Sequence, residues 1–249
     1  VDPRALLART VHADAWEQHG LLRTGRGGAT GVAPGVRLMA SGLPHPQWNN
    51  GDVTDPALVD VAALCAWYEP LAVPWGVRVP AGAPWTHGTF LFRKHLVLRD
   101  AGPVEAPAVA GLRVRAAGPE DLAAVAAVDA VAFAGDPGLE AAWIAPHLHA
   151  PHAATVALAT LDGTPVATGS VLRTDRQAGP AAYLSGVAVL PDAPAAPVWT
   201  ALAAWLLGRA FAAGARVALA HPDDAEESAS LEALGFTSAG ALDVYVDLA

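Results

Sequence analysis

Apolar and polar residues recur along this chain with two periods, and each change of period marks an element. Asp2-Pro3 ahead of Leu6, Leu7 and Val11 predicts a helix with an N-cap aspartate and a first-turn proline, closed at Gly20. A mobile glycine-rich loop over Gly25–Gly35 is expected next, and then a strand at Val36–Ala40. Asp55-Pro56 repeats the cap signal before Leu58, Val61, Ala62, Cys65 and Ala66, which read as one helical face. Val73–Val79 and Phe90–Leu98 are further strands, so the first half mixes α and β. Ala101–Gly111 holds glycines, prolines and alanines without periodicity, the composition of a connector. Two domains are therefore expected, residues 1–105 and 106–249.

In the second half, Leu112–Arg115 is a short strand, and Pro119-Glu120-Asp121 opens a helix that packs through Leu122, Val125, Ala126 and Phe133. Thr155–Leu161 and Val166–Arg173 flank Asp162-Gly163 as a hairpin. Tyr183–Val189 is a strand, Val198–Ala213 a helix closed by Gly214, and Arg216–Ala220 another strand. Glu226–Leu234 is a short helix closed by Gly235, and Ala241–Leu248 the last strand. The resulting order is β-α-(α)-β-β-β-α-β-α-β, an α/β (α+β) arrangement.

Composition narrows the function. At 249 residues and 53% hydrophobic content the chain can bury a substantial core. A net charge of -9 with 15 Lys plus Arg supplies no basic field, so neither a nucleic acid nor a membrane is expected as partner. The single cysteine, Cys65, excludes an intramolecular disulfide and a multi-thiolate metal site. No uninterrupted apolar stretch reaches the roughly 20 residues of a membrane span, and Val1–Thr10 does not read as a leader. The expectation is a cytoplasmic protein.

Several residue groups could carry chemistry. His147, His149 and His152 suggest metal ligation, but i, i+2 and i+5 do not share a helical face, and Pro146 and Pro151 point instead to a loop near a pocket mouth. Trp16, Trp48, Trp67, Trp75 and Trp85 fall in the first half. With them come the proline-flanked run His45, Gln47, Trp48, Asn49 and Asn50, together with Arg78 and His87. Aromatic walls with a few polar atoms suit a small-molecule pocket, which makes His45, Trp48, Asn49, Asn50, Trp75, Arg78, Trp85 and His87 substrate-binding candidates. The alternative, that the indoles fill a β-rich core, stays open. Cys65 reads as a buried, inert thiol. Asp223, Asp224, Glu226 and Glu227 suit a helix start, where acids complement the dipole. His221, at a strand end, is a candidate acid or base.

The second-half element order carries Val187-Ala188-Val189-Leu190-Pro191 before a long helix and Leu231-Glu232-Ala233-Leu234-Gly235-Phe236 before the last strand. In this it resembles the GNAT superfamily of acetyltransferases from Leu112 to Leu248. The first half resembles the N-terminal half of two-part GNAT proteins, through Pro74-Trp75-Gly76-Val77-Arg78 and Phe92-Arg93-Lys94-His95. The resemblance implies a GNAT-like mixed sheet flanked by helices in the C-terminal half and a degenerate GNAT-like N-terminal half.

In that superfamily the loop after Val-x-Pro reads Arg/Gln-x-x-Gly-x-Gly/Ala, and its N–H groups hold the CoA pyrophosphate. Here Pro194, Pro197 and Trp199 stand at those three positions, and no Lys or Arg occurs between Arg176 and Arg209. Leu231 stands where the family often has a tyrosine acid, and the family's glutamate base is absent from Tyr183–Val189, whose polar side chains are Tyr183 and Ser185. His221, Tyr183 and Ser185 are thus the catalytic candidates, with core filling the alternative for Tyr183.

The expected function is a GNAT-fold protein acting on a small molecule without conventional acetyl-CoA chemistry, through a cyclisation, elimination or hydrolysis in specialised metabolism. No cofactor is expected. One alternative is an N- or O-acyltransferase using an acyl-CoA or a pantetheine thioester on an acyl carrier protein. Another is a non-catalytic ligand-binding remnant.

Overall fold

The computed structural model describes residues 2–248. They form two compact units, residues 2–96 with 239–248, and residues 97–238.

The first unit begins with α1 (Pro3–Leu22), where the Asp2 side chain caps the Arg4 N–H. Its strands are β1 (Ala29–Ala33), β2 (Val36–Ala40), β3 (Asn49–Val53), β4 (Gly76–Pro80) and the first part of β5 (Thr89–Asp100). They lie in the order β1-β2-β3-β4-β11-β5, where β11 (Thr237–Val246) is the last strand of the chain. β3 runs parallel to β4, and β11 antiparallel to it. The last strand therefore completes the sheet of the first unit, although its sequence follows the second.

Every residue of β2 is buried because both faces of that strand are covered. Val36, Leu38 and Ala40 join Val77 and Val79 against α2 (Val61–Tyr68). Arg37 points the other way, to Asp14 and Glu17 of α1. This second face holds a buried polar layer. Trp16 donates its indole N–H to His12 Nε2 at 3.0 Å, so that nitrogen carries the lone pair and the imidazole is neutral. His12 Nδ1 then donates to Asp52 Oδ1 at 2.9 Å. Burial holds the His12 pKa down to about 3 despite the carboxylate beside it. The Arg78 guanidinium lies 3.7 Å from the Trp16 ring centroid and 3.4 Å from Asp52 Oδ2.

Three local expectations change in this unit. The loop expected at Gly25–Gly35 contains β1, whose Thr30 pairs with Met39 across β2. Asn49 and Asn50 sit on the buried strand β3 rather than in an open loop. Asp55 caps only a short 3-10 turn, and α2 starts later, from an Asp60 cap. The inward stripe of α2 is consequently 61, 64, 65 and 68: Leu64 and Tyr68 are buried, Ala62 and Ala66 exposed, and Cys65 half-buried rather than sealed in the core.

The second unit contains the end of β5, β6 (Leu112–Ala116), α3 (Leu122–Ala132), α4 (Pro137–Leu148), β7 (Ala154–Leu161), β8 (Thr164–Arg176), β9 (Gly179–Val189), α5 (Ala195–Ala212), β10 (Val217–Ala220) and α6 (Ala225–Ala233). Its strand order is β5-β10-β9-β8-β7-β6, with only β9 and β10 parallel among these pairs. Asp162 and Gly163 turn the β7–β8 hairpin with φ of 50° and 88°, the left-handed pair a two-residue hairpin needs. Alternation on β7 separates two cores. Val156 and Leu158 face α3 and α4 with Ile144 and Leu148, while Ala157 and Ala159 face α5. By length and composition α5 is apolar enough to cross a membrane, but half of it is buried, with Leu202, Leu206 and Leu207 fully enclosed in this core.

One buried carboxyl in this unit has no ion-pair partner among the described residues. Asp129 on α3 is 7% exposed, and its Oδ1 accepts no hydrogen bond from them. Burial, and then the charge of Glu140, raise its pKa to about 8.

Replacing Asp52 by Ala leaves a buried guanidinium without its counter-ion. The expected loss is about 3–5 kcal/mol of stability, read from urea unfolding monitored by tryptophan fluorescence. Asp129 is neutral in the fold up to about pH 8 but ionised in the unfolded chain above its ordinary 3.8. Its contribution is therefore complete below the unfolded value and is lost as pH rises towards 8. Thermal melts at successive pH values should show Asp129→Asn flattening that decline, by an amount on the order of a few kcal/mol at pH 8.

Candidate functional site

The second unit contains a cleft formed where two parallel strands stop pairing. β9 and β10 are in register from Ala181 and Val217 to Tyr183 and Leu219, after which β10 ends at Ala220 while β9 runs on to Val189. On its other edge β9 slips against β8 between Thr168 and Ser170. The slip falls beside Gly186, at φ +60°, a left-handed conformation that a side chain would strain. Ser185, Gly186 and Val187 of β9 line one wall, Ala220 and His221 another, and Trp199 of α5 with Glu227 and Leu231 of α6 enclose the rest. About 30 Å³ remains inside, the space of a water molecule.

His221 is mostly shielded, at 17% side-chain exposure, and its Nδ1 lies 3.5 Å from Asp223 Oδ1. Its ring sits 5.8 Å from that of Tyr183, which is buried. Ser170 Oγ donates to the Ser185 carbonyl at 3.2 Å, which leaves the Ser185 hydroxyl to donate to Ser170 Oγ at 3.3 Å. The structure thus brings His221 and Ser185 to the cleft, whereas Tyr183 is buried behind His221 and does not line it, which fits core filling. It adds Glu227, whose carboxyl burial raises above its usual range. The Asp224-x-x-Glu227 spacing reads only as a helix start, and it is one: Asp224 accepts from the Glu227 N–H at 2.8 Å, and Glu227 accepts from the Asp223 N–H at 2.9 Å. Nothing in that spacing signals that Glu227 also borders a cleft. Phe133, expected in the core, instead stands half-exposed at the end of α3 on the cleft rim.

The start of α5 adjoins this cleft. Pro194 is its N-cap residue, without a capping side chain, and Pro197 occupies the third helical position. Of the first three helical residues, only Ala195 and Ala196 carry an N–H. The Trp199 indole points its bulk into the cleft lining. Its N–H weakly favours the Glu227 carboxylate but forms no hydrogen bond of ordinary geometry.

The first-half candidates divide among several roles. His45 and Trp48 stack at 4.2 Å. Asn49 is fully buried and ties the surrounding chain: its amide oxygen accepts from the Ser41 N–H at 2.7 Å, and its amide nitrogen donates to the carbonyls of Leu43, His45 and Pro74. Asn50 donates to Pro46, while its buried oxygen accepts nothing. Trp75 stacks on Tyr68 at 4.4 Å within the core, and Arg78 belongs to the Asp52 layer. Trp85 donates to the His87 carbonyl at 2.7 Å, with His87 itself exposed. Among the histidines expected in a loop, His147 lies inside α4, buried, with Nδ1 donating to the Trp143 carbonyl at 3.0 Å. Pro146 is accommodated within that helix. Among the described residues, no cluster of three His, Cys, Asp or Glu side chains is arranged to hold a metal.

No protein-family model matches the sequence, and no curated protein matches it in sequence. Solved structures do match in fold. A GCN5-related N-acetyltransferase from Kribbella flavida aligns at TM-score 0.69 and 18% identity, over 96% of this chain and 95% of its own. A tandem GNAT protein from the clavulanic acid biosynthesis pathway, without acetyl-CoA, aligns at TM-score 0.60 and 14% identity, over 98% and 95%. A GCN5-related N-acetyltransferase from Sphaerobacter thermophilus aligns at TM-score 0.57 and 14% identity, over 98% and 92%. With a mixed sheet flanked by helices and matches that span nearly the whole chain, this protein has the two-part fold of the GNAT superfamily.

Proposed function

We propose that this protein is a cytoplasmic GNAT-fold enzyme that acts on a small molecule by chemistry other than acetyl transfer from acetyl-CoA. The reaction class is a cyclisation, elimination or hydrolysis in specialised metabolism. The observation that carries this reading is the start of α5 beside the cleft, where Pro194 and Pro197 stand at the helix entrance and the Trp199 indole lines the wall. The entrance does not suit a pyrophosphate, because Pro197 withholds an N–H from the helix start and no lysine or arginine lies between Arg176 and Arg209. The residues present therefore do not fit acetyl-CoA, and no cofactor is assigned.

What remains is a proton-transfer site. The His221 imidazole takes or gives the proton, and the Asp223 carboxylate at 3.5 Å favours the imidazolium formed in the process. Ser185 orients the substrate or the water, and the buried Tyr183 ring backs His221. Support for this reading comes from one neighbour in fold, a tandem GNAT protein from the clavulanic acid biosynthesis pathway.

A second reading, acyl transfer from a thioester on an acyl carrier protein, is favoured by one specific feature. The bulge at Gly186 and the end of β9–β10 pairing leave strand edges beside the cleft, as an extended pantetheine would require.

Millimolar acetyl-CoA should leave the melting temperature unchanged, whereas a ligand at about 100 times its Kd would add about 2.7 kcal/mol. A clear upward shift overturns the first reading. Acylation of a small amine from a carrier-protein thioester, but not from free acyl-CoA, selects the second. Once a substrate is in hand, His221→Ala should lower kcat by about 10²–10⁴-fold with the melting temperature retained.

A further inference from the structure

A second concave site in the same unit shares no residue with the cleft. It is a groove of about 580 Å³ between one face of α5, strand β6 and the segment 104–109. This is the size range of small-molecule pockets. Its floor is apolar: Leu112 and Val114 from β6, Ala201 and Ala204 from α5, and Val104 and Val109 from the connecting segment.

Two features separate this groove from an ordinary packing defect. The first is Gly208, in the interior of α5. Glycine there costs the helix about 1 kcal/mol relative to alanine, and a close neighbour does not explain it, because a Cβ at this position would meet nothing within 4 Å. The missing side chain keeps the groove open. The second is Arg209 at the groove edge, the sole charged residue in the lining. Its guanidinium lies 5.5 Å from the Trp205 ring centroid and forms no ion pair among the described residues, in a chain whose net charge is -9. An unpaired guanidinium above an apolar floor, with no carboxylate in the wall, complements a molecule that is apolar along its length and anionic at one end. A single cation in the lining matches a single negative charge. That favours a carboxylate over a phosphate dianion.

We infer that this groove binds an apolar monocarboxylate of the size of a medium-chain fatty acid, with the carboxylate on Arg209 and the chain on the floor between α5 and β6. The site is independent of the reaction proposed for the cleft.

Decanoate, kept below its micelle concentration, tests this by calorimetry on the full chain, with tryptophan quenching as a second readout. The expected result is saturable binding that Arg209→Glu and Gly208→Leu each weaken by about tenfold or more. Decanol and decylamine should bind more weakly than decanoate by a similar factor. Trp205→Phe should remove most of the quenching while leaving the calorimetric binding in place, and His221→Ala should bind decanoate as the wild type does. The leucine variant also replaces a mid-helix glycine, so its melting temperature should not fall. Absence of decanoate binding overturns the inference. So does equal affinity for decylamine, or undiminished affinity in both folded groove variants.

Discussion

The parallel pairing of β9 with β10 ends after Tyr183 and Leu219, and the site follows from that ending. A parallel strand that keeps its partner has no free edge and leaves no space. Here the slip against β8 and the left-handed Gly186 carry β9 onward while β10 stops at Ala220. The next residue, His221, is thereby placed at the mouth of the gap instead of within a ladder. The neighbouring helices decide what fills the opening: α5 contributes the Trp199 indole, and α6 contributes a carboxyl that also caps its own first turn. His221, Asp223 and Glu227 thereby border one cleft.

The first unit is organised by a different constraint. Its sheet is covered on both faces, and one of those faces is polar. Asp52 satisfies His12 and Arg78 together and Arg37 is paired with Asp14 and Glu17, while on the other face Asn49 ties the 41–45 segment to Pro74. These groups resemble binding residues in type and in cluster, yet their polar atoms are directed inward. A buried layer of this kind fixes strand register, because each ion must meet its own partner and a shift by one residue would strand all of them. The aromatic-rich stretch from Trp48 to Trp85 is accordingly divided between core stacking, as in Trp75 on Tyr68, and surface pairs such as His45 with Trp48.

Much of the second unit is legible in the sequence. The Asp162-Gly163 turn, the long apolar helix after Pro191 and the glycine-closed helix ending at Ala233 are written in local residue chemistry, and the element order follows from them. Signals that depend on the far side of a strand were not legible. β1 hides in a glycine-rich run because its edge pairing with β2 needs no strong β propensity. Asn49 and Asn50 look like loop residues because asparagine is disfavoured in strands, and here buried hydrogen bonds override that preference. The 3.6-residue period was clear at α2, but its phase depended on whether Asp55 or Asp60 was the cap.

The sequence by itself determined the fold class, the absence of local cations at the start of α5 and the candidacy of His221, because these depend on residue type and short-range spacing. Tertiary structure alone decided that β11 completes the first unit's sheet, that Asp52 joins His12 to Arg78, and that Glu227, Phe133 and Trp199 reach the cleft. The physical reason is the same in each case: pairing, burial and volume are properties of residues far apart in the chain, and no local pattern encodes which of them will meet.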